Sequence, residues 1–285
     1  MGRDEKFLQT KEPISVLMSV YIKEKPEYLR ECFESLLKQT VQADEWVVVE
    51  DGPLTDELYS VLDEYEKKYE NLIKRVPLSE NIGLGLALKE GVVNCSNEII
   101  ARMDTDDICV PERFEKQLRE FQQDKDLDIC GSYIIEFEGD VTNVLSERKV
   151  PLTNEEIIAY QKRRSAYNHM TVMFKKSSVL KAGNYEHAPL MEDDMLWTRM
   201  ILSGAKGKNI AEPLVYARTG LAMIERRGGY AYFKKYKASR KKVYKLGLAS
   251  YGDYMYTLGV QFVVALMPKK IRKWIFIKLL RKQQD

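Results

Sequence analysis

With 285 residues, 45 % of them apolar, and a net charge of +2, the chain has the make-up of one large α/β domain or of a domain with an appendage. Its opening stretch, MGRDEKFLQTKEP, is charged and lacks an apolar run, and the longest apolar run elsewhere is too short to span a bilayer comfortably, so the sequence predicts a cytosolic protein without a cleaved signal. Cys32, Cys95, Cys109 and Cys130 show neither a C-x-x-C pair nor small-domain spacing, which argues against a zinc site or a disulfide framework and predicts reduced, mostly structural thiols.

In chain order, ISVLMSV (14–20) reads as a short strand. KPEYLRECFESLLKQ follows as a helix with Leu29, Phe33, Leu36 and Leu37 on one face. The unit recurs as EWVVVEDG then DELYSVLDEYEKKY, as LIKRVPL then GLGLALKEGVV, and as EIIARMDTDD then PERFEKQLREFQQ, with Pro111 placed to open the last helix. Strands alternating with helices of this length predict βαβ units and a mainly parallel sheet covered on both faces. Ligands of such sheets bind beyond the carboxyl ends of the strands. Glu50 and Asp51 end one strand and Asp104, Asp106 and Asp107 follow another, so both acidic groups are expected on the binding edge.

Acids in a helix's first turn offset the dipole, but one or two suffice for that, and the three crowded carboxylates of DTDD repel one another. A divalent cation removes the repulsion. Hard oxygen ligands at Asp-x-Asp spacing suit Mg²⁺ or Mn²⁺ shared with substrate phosphate oxygens.

The succession ISVLMSVY, VVVEDGP, NIGLGLALKEG, ARMDTDDI, HMTVMFKKSSVLKAGNY and MEDDMLWTRM resembles, in order and spacing, the inverting family 2 glycosyltransferases of the GT-A fold. LVYARTGLAMIERRGGYAYFKKY is similar to the bacterial branch that builds capsular polysaccharide, exopolysaccharide or O-antigen. Glu50, Pro53 and Lys89 depart from the residues usual at those places in the family. The resemblance implies a Rossmann-like, mainly parallel central sheet with helices on both faces and a C-terminal helical extension. The resemblance covers roughly residues 13–235 and, together with the change of charge balance at Lys234, predicts a catalytic domain over 1–233, with nucleotide-sugar binding over roughly 13–110 and the acceptor and catalytic part over roughly 111–233, and a basic helical extension over 234–285.

The site residues follow from the same source. Asp106 is the first expected metal ligand, Asp104 shares the metal or holds the ribose, and Asp107 is a third candidate. Asp51 accepts a hydrogen bond from uracil or is a turn residue, while Ser19 and Tyr21 line the nucleotide pocket. Gly83 and Gly85 permit close approach of the nucleotide or serve packing at a helix start. Asp193 matches the family's catalytic base and Glu192 supports it, the plain alternative being an acidic helix start with Leu196 and Met200 continuing at helical spacing. His169 is a metal ligand, a contact to acceptor or diphosphate, or a structural histidine. Arg226 and Arg227 clamp a diphosphate or are surface charge.

From Lys234 to the end, 14 basic residues face two acids, about +12, whereas the first 233 residues hold 31 basic and 41 acidic residues, about −10. YMYTLGVQFVVALM, then Pro268 and KKIRKWIFIKLLRK with Ile271, Trp274, Ile275 and Leu279 on one face, predicts an interfacial element for an anionic membrane surface. The alternatives are a helix folded back on the catalytic domain and a dimer contact. No recognition motif for nucleic acid accompanies the charges. The expected enzyme moves a sugar from a UDP-hexose to a lipid-diphosphate-linked saccharide at the inner face of the cell membrane. A processive synthase and a non-catalytic nucleotide- or carbohydrate-binding protein are the competing readings. The former lacks its Q-x-x-R-W motif here, and the latter has no need of Asp193.

Overall fold

The computed structural model describes residues 12–219 and 229–268. Strand β1 (Ile14–Val20) is followed by α1 (Pro26–Leu37), β2 (Glu45–Glu50), α2 (Asp56–Lys68), β3 (Ile73–Pro77), α3 (Leu84–Asn94) and β4 (Ile99–Arg102). These four strands pair in parallel in the order β3-β2-β1-β4. Because side chains alternate along a strand, Ile14, Val16, Met18 and Val20 face one layer with Trp46 and Val48, while Leu17, Val47 and Val49 face the other. The first layer is filled from α1 and α2 by Leu29, Phe33, Leu36, Leu58 and Tyr65, the second from α3 by Ala87, Leu88 and Val92. Burial on both faces explains why these strands read as unbroken apolar runs.

The chain then continues through β5 (Ile108–Cys109), α4 (Arg113–Gln123), β6 (Leu127–Phe137), β7 (Val144–Arg148), α5 (Asn154–Gln161), a 3₁₀ turn at His169–Thr171, β8 (Met173–Lys175), α6 (Lys176–Lys181), α7 (Glu192–Leu202) and β9 (Lys206–Arg218). Here the sheet is mixed: β8 is antiparallel to β4, β6 is antiparallel to β8, β9 is parallel to β6, and β5 is antiparallel to β9. The long β9 thus returns to pair with β5, bringing Arg218 onto the DTDD segment. Helix α4 starts two residues after Pro111 rather than at it, because Val110 and Pro111 form the preceding turn, with Arg113 N–H on the Val110 carbonyl. All four cysteines are free and buried.

Two further helices, α8 (Tyr230–Lys245) and α9 (Tyr251–Leu266), form a hairpin. A capping box between Ser250 and Asp253 opens α9. The hairpin packs on the preceding elements: Val243 joins Ala188, Met191 and Met195 in a small apolar cluster at the start of α7. The first part of the basic extension is therefore folded back, as in the alternative given above, while Ile271, Trp274, Ile275 and Leu279 lie outside the described residues. No helix among the described residues is long and apolar enough to cross a membrane.

Candidate active site

Strands β2 and β4 flank β1, with Glu50 opposite Val20 and Arg102 opposite Leu17, so both acidic groups emerge at the carboxyl edge on either side of one strand. Within VVVEDGP, Glu50 is buried and ion-paired with Arg75. Asp51, 4 % exposed, accepts hydrogen bonds on its carboxylate from Ile82 N–H at 2.7 Å, Gly83 N–H at 3.2 Å and Asn81 Nδ2 at 3.0 Å. It anchors the NIG turn, and Gly83 there takes φ +88°, a left-handed conformation that favours glycine. At Gly85 a Cβ would lie 2.6 Å from the Glu186 carbonyl oxygen and 3.0 Å from Glu192 Cβ, so this glycine serves packing between α3 and the approach to α7. Half-buried Ser19 and exposed Tyr21 follow at the end of β1.

Among the described residues, Asp104, Asp106 and Asp107 form a group whose ligand atoms lie within 4.8 Å of one another. Asp104 is paired with Arg102 Nη2 at 2.5 Å. Buried Asp107 accepts from Arg218 N–H at 2.7 Å on one oxygen, and its other oxygen is buried without a partner. Burial, then the charges of Asp104 and Glu24, push the Asp106 carboxyl up to about 7. Burial and its two neighbours push Asp107 well above the usual range. Crowded hard oxygens, one of them orphaned, fit a divalent cation. Arg218 closes over the segment, donating to the Asp106 carbonyl at 3.0 Å and to Glu31 and stacking 3.8 Å from the Tyr28 ring centroid.

The second acidic group opens α7, whose first turn carries Glu192, Asp193 and Asp194. The Ser165 hydroxyl donates to Asp193 Oδ2 at 3.3 Å and Gln161 Nε2 donates to Asp194 Oδ1 at 2.8 Å. Burial outweighs the helix dipole here: it raises Asp193, and with Asp193's charge it pushes Glu192 and Asp194 up to about 7. Between the two acidic groups lies Arg102, 1 % exposed, with Nε and Nη1 unpartnered. Its charge acts on Asp106 and Asp107 on one side and on Glu192 and Asp193 on the other. His169 Nε2 is 2.8 Å from the buried Tyr185 hydroxyl, and burial together with Arg102 holds its pKa well below the usual range. Among the described residues it is not one of the three whose ligand atoms are grouped. Arg226 and Arg227 lie outside the described residues.

The reading of the sequence missed Arg102, Tyr185, Glu24 and Arg218. Arg102 had a signal, a lone cation inside the buried run EIIAR, which calls for a nearby anion. Tyr185 and Arg218 reach the site only through tertiary packing.

If an α7 carboxylate serves as a base it must be ionised, so activity is expected to rise with pH through about 7, following these carboxylates as a group. These carboxyls hold protons in the folded state that the unfolded chain has released, so metal-free stability should fall as pH rises from about 4 to 7. A pH–rate profile and melting curves over this range check both signs.

Residues 15–185 match the family described as Glycosyl transferase family 2. The chain is 39 % identical to the amylovoran biosynthesis glycosyltransferase AmsE of Erwinia amylovora, over 93 % of this chain and 98 % of that one. It is 36 % identical to the UDP-Gal:alpha-D-GlcNAc-diphosphoundecaprenol beta-1,3-galactosyltransferase of Escherichia coli, over 94 % and 96 % respectively. The mannosyltransferase PcManGT of Pyrobaculum calidifontis, solved with GDP-Man and Mn2+, superimposes with a TM-score of 0.62 at 14 % identity, covering 95 % of this chain and 77 % of that one, which bears on the fold alone. The sheet, its paired acidic groups and these matches define a GT-A glycosyltransferase. The chain belongs to glycosyl transferase family 2.

Proposed function

We propose that the chain transfers a hexose, with inversion, from a UDP-sugar to a lipid-diphosphate-linked saccharide in exopolysaccharide or O-antigen assembly. The observation that carries this reading is the convergence of the Asp104–Asp107 group and of Glu192 and Asp193 on the buried guanidinium of Arg102. The relatives named for amylovoran and for diphosphoundecaprenol substrates support the pathway class.

The uridine lies along the edge formed by Ser19, Tyr21 and Asp51, and the diphosphate lies toward Asp104, Asp106 and Asp107. These three carboxylates would hold Mn²⁺ or Mg²⁺, which would neutralise charge on the departing diphosphate. Asp193 takes the proton of the acceptor hydroxyl. The hydroxyl oxygen bonds to the anomeric carbon from the face opposite the C1–O bond, that bond breaks, and UDP carries away the electron pair. Ser165 orients the Asp193 carboxylate, and His169 with Tyr185 walls the sugar side.

The enzyme works peripherally at the inner face of the membrane. Exposed Tyr251, Met255, Val260, Val263 and Leu266 on α9 meet the acyl boundary, and exposed lysines of α8, such as Lys234, Lys237 and Lys241, meet anionic headgroups.

The test offers UDP-hexoses and a synthetic lipid-diphosphate N-acetylglucosamine with Mn²⁺, and follows product configuration by NMR. An α-linked donor is expected to give a β-linked product. Donor hydrolysis without transfer, or a retained configuration, contradicts the proposal. In parallel, the chain should sediment with phosphatidylglycerol vesicles and be released only in part by salt, because apolar burial is not screened.

A further inference from the structure

Residues 161–166 run between the C-terminal hairpin and the first turn of α7, and they are held from both sides. On the hairpin side, buried Arg240 donates to the Lys162 carbonyl. Arg163 Nε donates to Asp253 Oδ1 at 2.6 Å, with its guanidinium 4.8 Å from the Tyr256 ring centroid. On the catalytic side, Gln161 bonds Asp194 through Nε2 and accepts the Ala166 N–H through Oε1 at 2.9 Å, and Ser165 reaches Asp193. The hairpin also grips the loop leading into α7, where the Ser239 hydroxyl donates to the Pro189 carbonyl at 2.8 Å.

The helix start fixes the Cα of Asp193, and the backbone N–H groups of Asp193 and Asp194 bond its carboxylate. The side-chain hydrogen bond that orients it among the described residues, from Ser165, is long and shared with the Tyr167 carbonyl, so its remaining freedom depends on how firmly residues 161–166 are kept. A general base works only within a narrow geometric tolerance. Arg240 is a buried cation, costly unless its partners repay the desolvation, and those partners are a carbonyl of this segment and the field of Asp194.

We propose that the C-terminal hairpin is a working part of the catalytic site: by clamping residues 161–166 it positions the Asp193 carboxylate, with Arg240, Arg163 and Gln161 as positioning residues. The inference rests on Asp193 being the base. It also ties the face that meets the membrane to the chemistry, since α9 bears Asp253 and Tyr256 on the way from its exposed apolar side to Arg163.

The test compares the full chain with Arg240→Met and with Arg163→Ala, whose side chain is largely exposed. Transfer kcat should fall roughly tenfold in the first and about threefold in the second, the scale of a misplaced base, while donor KM and calorimetric UDP affinity stay unchanged. Hydrogen exchange, read without substrate, should show the Ala166 amide less protected in both. Unchanged kcat in the folded variants, donor KM rising as kcat falls, or unchanged Ala166 protection overturns the proposal. If Arg240→Met does not fold, Arg163→Ala decides it alone. Failure of the base reading is distinguishable, because it appears as undiminished turnover in Asp193→Asn while the exchange result still reports on the clamp.

Discussion

Asp193→Asn is expected to bind UDP and donor with unchanged affinity and to transfer at least roughly a hundredfold more slowly, the scale of a positioned general base. The amide is isosteric and can still meet the Ser165 hydroxyl, so the first turn of α7 keeps its shape. What is lost is the capacity to take a proton. Burial raises the Asp193 pKa, which strengthens the ionised carboxylate as a base. Single-turnover transfer beside calorimetric UDP titration separates the two effects. A fall in donor affinity parallel to rate would reassign Asp193 to binding, and undiminished turnover would move the base to Glu192 or Asp194.

The parallel half of the fold could be read from the sequence because its strands are buried on both faces and its helices carry clean apolar stripes. ISVLMSV is β1 as quoted, and β2 is EWVVVEDG without its last two residues. The other half could not. Strand β9, KGKNIAEPLVYAR, contains Pro213 and charged residues and pairs with β6 through register shifts, so neither an apolar run nor alternation marks it. The fate of α9 was equally hidden: an apolar run of its length fits an interfacial helix and a packed one alike, and it is Arg163–Asp253 that ties its inner face to the domain while Tyr244 stacked on Tyr254 ties it to α8.

In the site, motifs marked the acids and left their control unread. The DTDD and EDD groups stand 85 or more positions apart, and nothing in either names Arg102 as the charge between them. Asp51 illustrates the converse. Its motif suggested a ligand contact, yet three of its hydrogen bonds go to the Asn81–Gly83 turn, so whatever it gives to a nucleotide comes from a carboxylate already fixed by the backbone. Pre-positioning of this kind lowers the entropy cost of binding.

Asp106→Ala is expected to abolish the Mn²⁺-dependent part of UDP binding and, at the same time, to raise the melting temperature of the metal-free protein at pH 8. Both effects have one origin. The Asp106 carboxylate is desolvated and crowded by Asp104 and Glu24, a repulsion that a cation relieves and that the alanine side chain cannot make. The fold should survive, because Arg218 holds this segment through the Asp106 carbonyl and the Asp107 carboxylate, neither of which the substitution removes. Asp104 stays paired with Arg102. For a domain of this size each 1 kcal/mol of relieved repulsion raises the melting temperature by about 2–4 °C, so the gain is readable in a melting curve without metal. UDP titrations with and without Mn²⁺ give the other arm. Unchanged Mn²⁺-dependent affinity would place the ion elsewhere, and a lower melting temperature would mean that Asp106 is held by contacts that outweigh its repulsion.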